Sequence, residues 1–115
     1  MNRIRRHEKL EKINLSEKFG KLPNGDYAVG LIAKMSDYDF KIVKFKGDFV
    51  RHSHSGTDEM FIILEGALAM NFRDQEVEVH AGEMIVIPKG VEHKPSSIDG
   101  YKALLIEPEG VPNTR

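Results

Sequence analysis

Three of the five histidines in this chain sit where they could share a metal ion. His52 and His54 flank Ser53, Glu59 follows five residues on, and His93 comes later, just past Pro88-Lys89-Gly90. Side chains alternate along an extended strand, so imidazoles spaced i, i+2 point to the same face. A turn at Ser55-Gly56-Thr57 would fold the Glu59 carboxylate back beside them. A third imidazole from a later strand would then close a mononuclear site, and histidine is the commonest metal ligand. The competing reading of the same residues is a loop carrying two surface histidines.

Bulk properties narrow the class. At 115 residues the chain makes one domain with a real core. A net charge of −1, with 30% charged residues, argues against nucleic acid, which needs a basic face to neutralise phosphates. The longest apolar runs, such as Met60-Phe61-Ile62-Ile63-Leu64, are strand-sized and too short to span a bilayer. The first residues are charged and lack the apolar stretch of a signal peptide. No cysteine is present, which removes disulfides, thiolate nucleophiles and Cys-ligated metal sites together. These observations lead us to expect a cytoplasmic protein with no nucleic-acid or membrane partner.

The elements that must position the site follow from local patterns. Residues 1–26 read as an arm and a short helix, and residues 27–115 as a β domain. Arg3, Arg5, Arg6, Lys9 and Lys12 face Glu8 and Glu11 in a leader that is either a docking arm or a solvated segment. Asn14 and Glu17 form a capping-box pattern that starts a helix with Leu15, Phe19 and Leu22 on its inner face. Pro23-Asn24-Gly25-Asp26 ends it. Strands are expected at Tyr27–Ala33, Phe40–Phe45, Met60–Leu64, Leu68–Phe72, Val77–Val79, Met84–Ile87 and Ala103–Ile106. Turn residues separate them, including Glu65-Gly66 and Asp99-Gly100, at the short intervals of a sandwich or barrel. The apolar runs at Met60–Leu64 and Met84–Ile87 predict strands covered on both faces. Met70, Phe72, Met84 and Val86 are expected to face a barrel interior, and Val50 to share the face of His52 and His54.

The stretch Gly47-Asp48-Phe49-Val50-Arg51-His52-Ser53-His54, with Glu59 and Gly66, resembles the first motif of the cupin superfamily. The stretch from Gly82 through Pro88 to His93 resembles the second. The similarity covers roughly Tyr27 to the C-terminus. It is strongest to small single-domain cupins with a Thr57-Asp58-Glu59 segment, a Pro88-to-Pro95 segment and an Ile106-Glu107-Pro108 tail with Asn113-Thr114. Relatives of this kind are filed beside mannose-6-phosphate isomerase on fold alone. The match is not complete. Four residues separate Gly47 from His52 where the broad motif has five, Ser97 replaces a usual asparagine, and Arg51 replaces an aromatic.

The resemblance implies an all-β fold, a small antiparallel jelly-roll barrel with a short N-terminal helix. It also implies that His52, His54, Glu59 and His93 bind one divalent ion per chain, and that the protein is a homodimer. Three imidazoles and a carboxylate suit Mn, Fe, Co, Ni, Cu or Zn. Four protein ligands leave an octahedral ion two positions for a chelating substrate, whereas a tetrahedral zinc would be closed. Three functions fit: an oxygenase- or isomerase-type enzyme acting on a small polar ligand, a non-catalytic binding or sensing domain, and a barrel braced by its metal. No general acid or base outside the ligand set can be named from sequence. Asp58 reads as either a loop charge or an acceptor behind the ligands. Arg51 reads as a surface or interface residue, and His80 as a solvated turn.

Overall fold

A computed structural model describes residues 10–113, and of the leader expected at residues 1–12 the first nine lie outside them. Leu10 and Ile13, at its described end, are exposed. Helix α1 (Leu15–Gly20) begins where the capping pattern places it, with the Asn14 side chain accepting from Glu17 N at 2.9 Å. The cap is one-sided, because the Glu17 carboxylate reaches forward to Lys21 instead. Phe19 is the buried residue of this helix, and the Lys102 ammonium lies 5.6 Å from its ring centroid.

Six antiparallel strands follow: β1 (Tyr27–Met35), β2 (Tyr38–Asp48), β3 (Glu59–Asn71), β4 (Glu76–His80), β5 (Met84–Ile87) and β6 (Lys94–Pro108). Their order is β1-β2-β6-β3-β4, with β5 added to β3. Strand β3 pairs with β5 through Glu59–Ile62 and with β4 through Ala67–Asn71, so it changes partner halfway along. Strand β6 runs between β2 and β3. The two long central strands therefore belong to both halves of a sheet that folds on itself, which is the expected barrel.

Two expected turns are bends within strands. Glu65-Gly66 lies inside β3 and Asp99-Gly100 inside β6, at places where the register between these strands shifts. Both glycines have positive φ, +76° and +96°. They bend the strands without breaking the ladder, and bulged glycines give this combination of continuity and curvature. Ser97 pins the bend from within, donating to Ala67 O at 2.7 Å and accepting from Gly100 N at 3.0 Å. A serine thus does local work where the cupin motif has asparagine.

Alternation decides what each strand buries. Val43 and Phe45 on β2, Phe61 and Ile63 on β3, and Tyr101, Ala103 and Leu105 on β6 form one inner cluster with Leu68, Met70, Val79 and Ile87. Met70 is fully buried and Phe72 partly so, as expected. Met84 and Val86 are not interior residues. They stand 54% and 51% exposed on the outer face of β5, because Ile85 and Ile87 take the inward phase. The apolar run there reflects a sheet whose outer side is left open among the described residues.

The closest backbone approach in the bend is at Gly66, where a Cβ would meet Gly100 O at 2.1 Å. Gly66→Ala therefore requires backbone movement on top of left-handed strain. We expect a loss of about 3 kcal/mol or more in urea unfolding. The same change at Gly82, where a Cβ meets nothing, should cost only the conformational strain.

Candidate metal centre and pocket

Strand β2 bulges between Phe45 and Gly47, whose φ is +109°, and the chain leaves the ladder after Asp48. His52 and His54 consequently do not lie on a regular strand as expected. His52 instead makes one isolated antiparallel bridge with His93, with His52 N to His93 O at 3.0 Å and His93 N to His52 O at 2.9 Å. This pair of backbone bonds sets two imidazoles side by side, with ring centroids 4.3 Å apart. Leaving the ladder also changes the phase. Val50 is 52% exposed and forms no wall, whereas Phe49 packs edge-on against His52. Arg51 points outward and donates to Asn71, as expected of a surface residue.

Both bridging histidines are oriented the same way. His52 Nδ1 lies 2.8 Å from Val50 O, and His93 Nδ1 lies 2.9 Å from Val91 O. A carbonyl can only accept, so each Nδ1 carries the proton, and the neutral ring turns an Nε2 lone pair inward. Backbone carbonyls commonly fix metal-ligating histidines in this way. The sequence reading left these partners unnamed.

Glu59 opens β3 on the inward phase shared with Phe61 and Ile63, and only 4% of it is exposed. Its Oε1 lies 2.8 Å from His93 Nε2, and its Oε2 lies 3.6 Å from His54 Nε2. Neither Glu59 Oε1 nor His93 Nε2 makes an aligned hydrogen bond, although both are shielded from solvent. Two buried acceptor atoms converging without a shared proton are suited to a cation between them. Donors of His52, Glu59 and His93 all lie within 4.8 Å of one another, so these three residues could hold a metal ion. His54 stands at the rim, outside that group and with 20% of its side chain exposed.

The loops carrying the donors are tied together. Asp58 Oδ1 accepts from Lys89 N at 2.8 Å, and Gly90 N donates to His54 O at 2.8 Å. Asp58 therefore holds the Pro88 turn against the start of β3, rather than accepting from a ligand. His80 lies apart, on the surface beside Glu78 and Glu83.

Electrostatics within the triad pull in opposite directions. Burial pushes the Glu59 carboxyl up, but the His93 contact and the neighbouring imidazoles outweigh it, and the net is downward. Burial opposes charge on His93 too, yet Glu59 raises its pKa above the ordinary histidine value. His52 is lowered, chiefly by burial.

Beside the triad is a cavity of about 290 Å³. Its body is apolar and aromatic, with Tyr27, Val43, Phe49, Phe61, Tyr101 and Leu105 on the walls. Edge-to-face contacts connect Tyr27, Phe45 and Phe49, with centroids 5.3 to 5.9 Å apart, and carry this order up to His52. The sequence reading did not identify this wall. Aromatic residues at strand alternation read as ordinary core, and only the fold distinguishes those facing a cavity.

A small antiparallel barrel with two histidines and a glutamate gathered at its mouth defines a class of β-barrel proteins. Residues 41–106 match the family model described as the cupin domain, and the chain belongs to that family. An uncharacterised Bacillus subtilis protein, YdbB, is 37% identical over 67 residues. That match spans 57% of this chain and 59% of YdbB. A cupin-2 domain protein of Shewanella frigidimarina is 50% identical, with a TM-score of 0.81, covering 84% of this chain and 94% of that one. Protein NMB1881 of Neisseria meningitidis is 32% identical, with a TM-score of 0.77, covering 86% and 100%.

In the metal-free protein, NMR titration of the ring protons should find His93 above and His52 below the free-histidine value. The raised His93 pKa contributes stability that is fully present below the unfolded value of about 6.5 and is lost as pH rises through the folded value. Glu59→Gln should lower the His93 pKa, because burial is then opposed by the Val91 carbonyl without the carboxylate.

Proposed function

We propose that this cupin holds a single divalent transition-metal ion through His52, Glu59 and His93, with His54 completing the set from the rim. The observation that carries this reading is the pair of shielded, unaligned donors, Glu59 Oε1 and His93 Nε2, facing one another at 2.8 Å. An ion held there supplies Lewis acidity toward oxygen atoms of a chelating ligand. The residues around it have separable tasks. Val50 O and Val91 O keep the imidazoles in the ligating tautomer, and Phe49 braces His52. The aromatic walls exclude water and leave room for a molecule of modest size.

The reading we favour is an enzyme of oxygenase or isomerase type acting on a small polar or chelating substrate in the cytoplasm. A binding or sensing role is the alternative, and one observation supports it. The cavity walls beyond the histidines and Glu59 carry few proton-transfer groups, Tyr27 and Tyr101 among them. Burial pushes the Tyr101 hydroxyl well above its ordinary pKa, which makes it a poor base. Elemental mass spectrometry of untagged protein should find about one ion per chain. His52→Ala and His93→Ala should each lose it while remaining folded. Protein that stays metal-free after reconstitution with Mn, Fe, Co, Ni, Cu and Zn in turn would leave the binding reading alone standing. Oxygen uptake and substrate screens on the loaded protein then separate turnover from binding.

We also propose that the working unit is a homodimer. On the outer face, the register places Val86, Met60, Ile106 and Phe40 in one cross-strand row. Met84, Ile62 and Leu104 form the row beside it. A second copy would cover these apolar side chains. Light scattering should give twice the chain mass, and Met84→Lys with Val86→Glu should reduce it to the monomer.

A further inference from the structure

The tail motif Ile106-Glu107-Pro108 with Asn113 has no part in the candidate metal site, yet it organises a buried ion pair. Glu107 is 1% exposed and points into the barrel from β6. It lies one residue beyond the Met60–Ile106 pair, and so beside Glu59 on the neighbouring strand. Its Oε2 accepts from Lys41 Nζ at 2.7 Å. Lys41 is itself buried, on the inward phase of β2. An ammonium has three donors, and a buried one needs three acceptors. Glu107 provides one. The chain beyond Gly110 provides the others, Val111 O at 2.9 Å and the Asn113 side-chain oxygen.

Gly110, at φ +84°, turns the chain so that it can return over the barrel mouth. There Pro112 and Asn113 join the lining of the cavity beside the metal triad. Tyr27 also anchors this return, its hydroxyl donating to Asn113 O at 2.8 Å. Tyr27 is also a cavity wall. The first part of the segment is fastened separately, by Glu109 N to Asp37 O and by Lys34 to Glu109.

We propose that Val111–Asn113 is a strap forming a removable wall of the cavity, with Lys41 as the latch that positions it. Closed, the strap satisfies a buried ammonium through Val111 O and the Asn113 side chain and puts Pro112 and Asn113 on the cavity wall. Open, it leaves two Lys41 donors to water or to an oxygen-bearing ligand, and widens the path to the triad. Gly110 is the hinge, because the fastening at Glu109 lies before it. The latch does not depend on whether a metal occupies the triad.

The absence of native cysteine makes a direct test possible. Val43→Cys puts a single thiol on the cavity wall at a position 4% exposed. Ile63→Cys puts one at a fully buried position that does not line the cavity. Iodoacetamide labelling of metal-free protein, followed by mass spectrometry, reads access to each. Lys41→Met, Asn113→Gly and truncation after Gly110 should each speed labelling at position 43 by about tenfold or more. Labelling at position 63 should not change. Asn113→Gly and the truncation leave the barrel strands intact, so they carry the test if Lys41→Met fails to fold. Equal labelling at position 43 in all variants, or a parallel rise at both positions, would overturn the strap. Because the protein is metal-free throughout, neither result bears on metal binding.

Discussion

A carboxylate buried at the end of an apolar barrel is the constraint that orders this site. Glu59 sits in phase with Phe61 and Ile63, so the alternation that builds the core also carries its charge out of water. A buried charge left alone would cost several kcal/mol. Imidazoles brought from two other segments surround it, and they offset its charge when one is protonated or when a cation lies between them. His93 is the closest of these, and it is fully buried. Its placement depends on the two backbone bonds to His52, and theirs on the departure of the chain from β2 after the bulge at Gly47. The site is thus a consequence of one acidic residue in an inward phase and a loop bent to meet it.

The barrel makes such convergence possible because its central strands bend rather than end. Gly66 and Gly100 approach so closely that a side chain at Gly66 would strike the opposing backbone. With bends at these points, β3 can pair with β5 near the site and with β4 away from it. The part of β3 that carries Glu59 is therefore locked against Ile87, immediately before the turn leading to His93. Asp58 then ties that turn to the same strand. Glu59 thus comes from a paired strand, and the histidines come from two loops tied to that strand and to each other by hydrogen bonds.

These causes were unequally visible in the sequence. His52, Glu59 and His93 stood out because histidines and a carboxylate at such spacing can share a metal ion, and the structure brings them together. His54 was equally visible, but it lies at the rim, since leaving the ladder removed the strict alternation that would have paired it with His52. The same loss of phase exchanged Val50 for Phe49 as the wall. Gly66 and Gly100 were visible as interruptions, but a glycine in a run of β-formers reads the same whether it ends a strand or bends it. Met84 and Val86 were misplaced for a related reason. An apolar run says that both faces avoid water without saying whether this chain or another covers the outer one.

The Lys41 and Glu107 pair was the least visible, and its physics explains why. A lysine between Phe40 and Ile42 reads as the solvated phase of an ordinary strand, and a glutamate before Pro108 as a strand end. Only the register shows that both point inward. Burial pushes the Glu107 carboxyl above the usual carboxylate range, and the Lys41 contact opposes that shift without cancelling it. A buried ion pair of this kind is no stabiliser by default, since an apolar pair of similar volume often does as well or better. What it gains is direction, because an ammonium with one carboxylate partner still demands two more oxygens from fixed angles. In this barrel both come from the last described residues of the chain. The pair thereby specifies where the C-terminal segment must lie, and so the shape of the cavity beside His52 and Glu59.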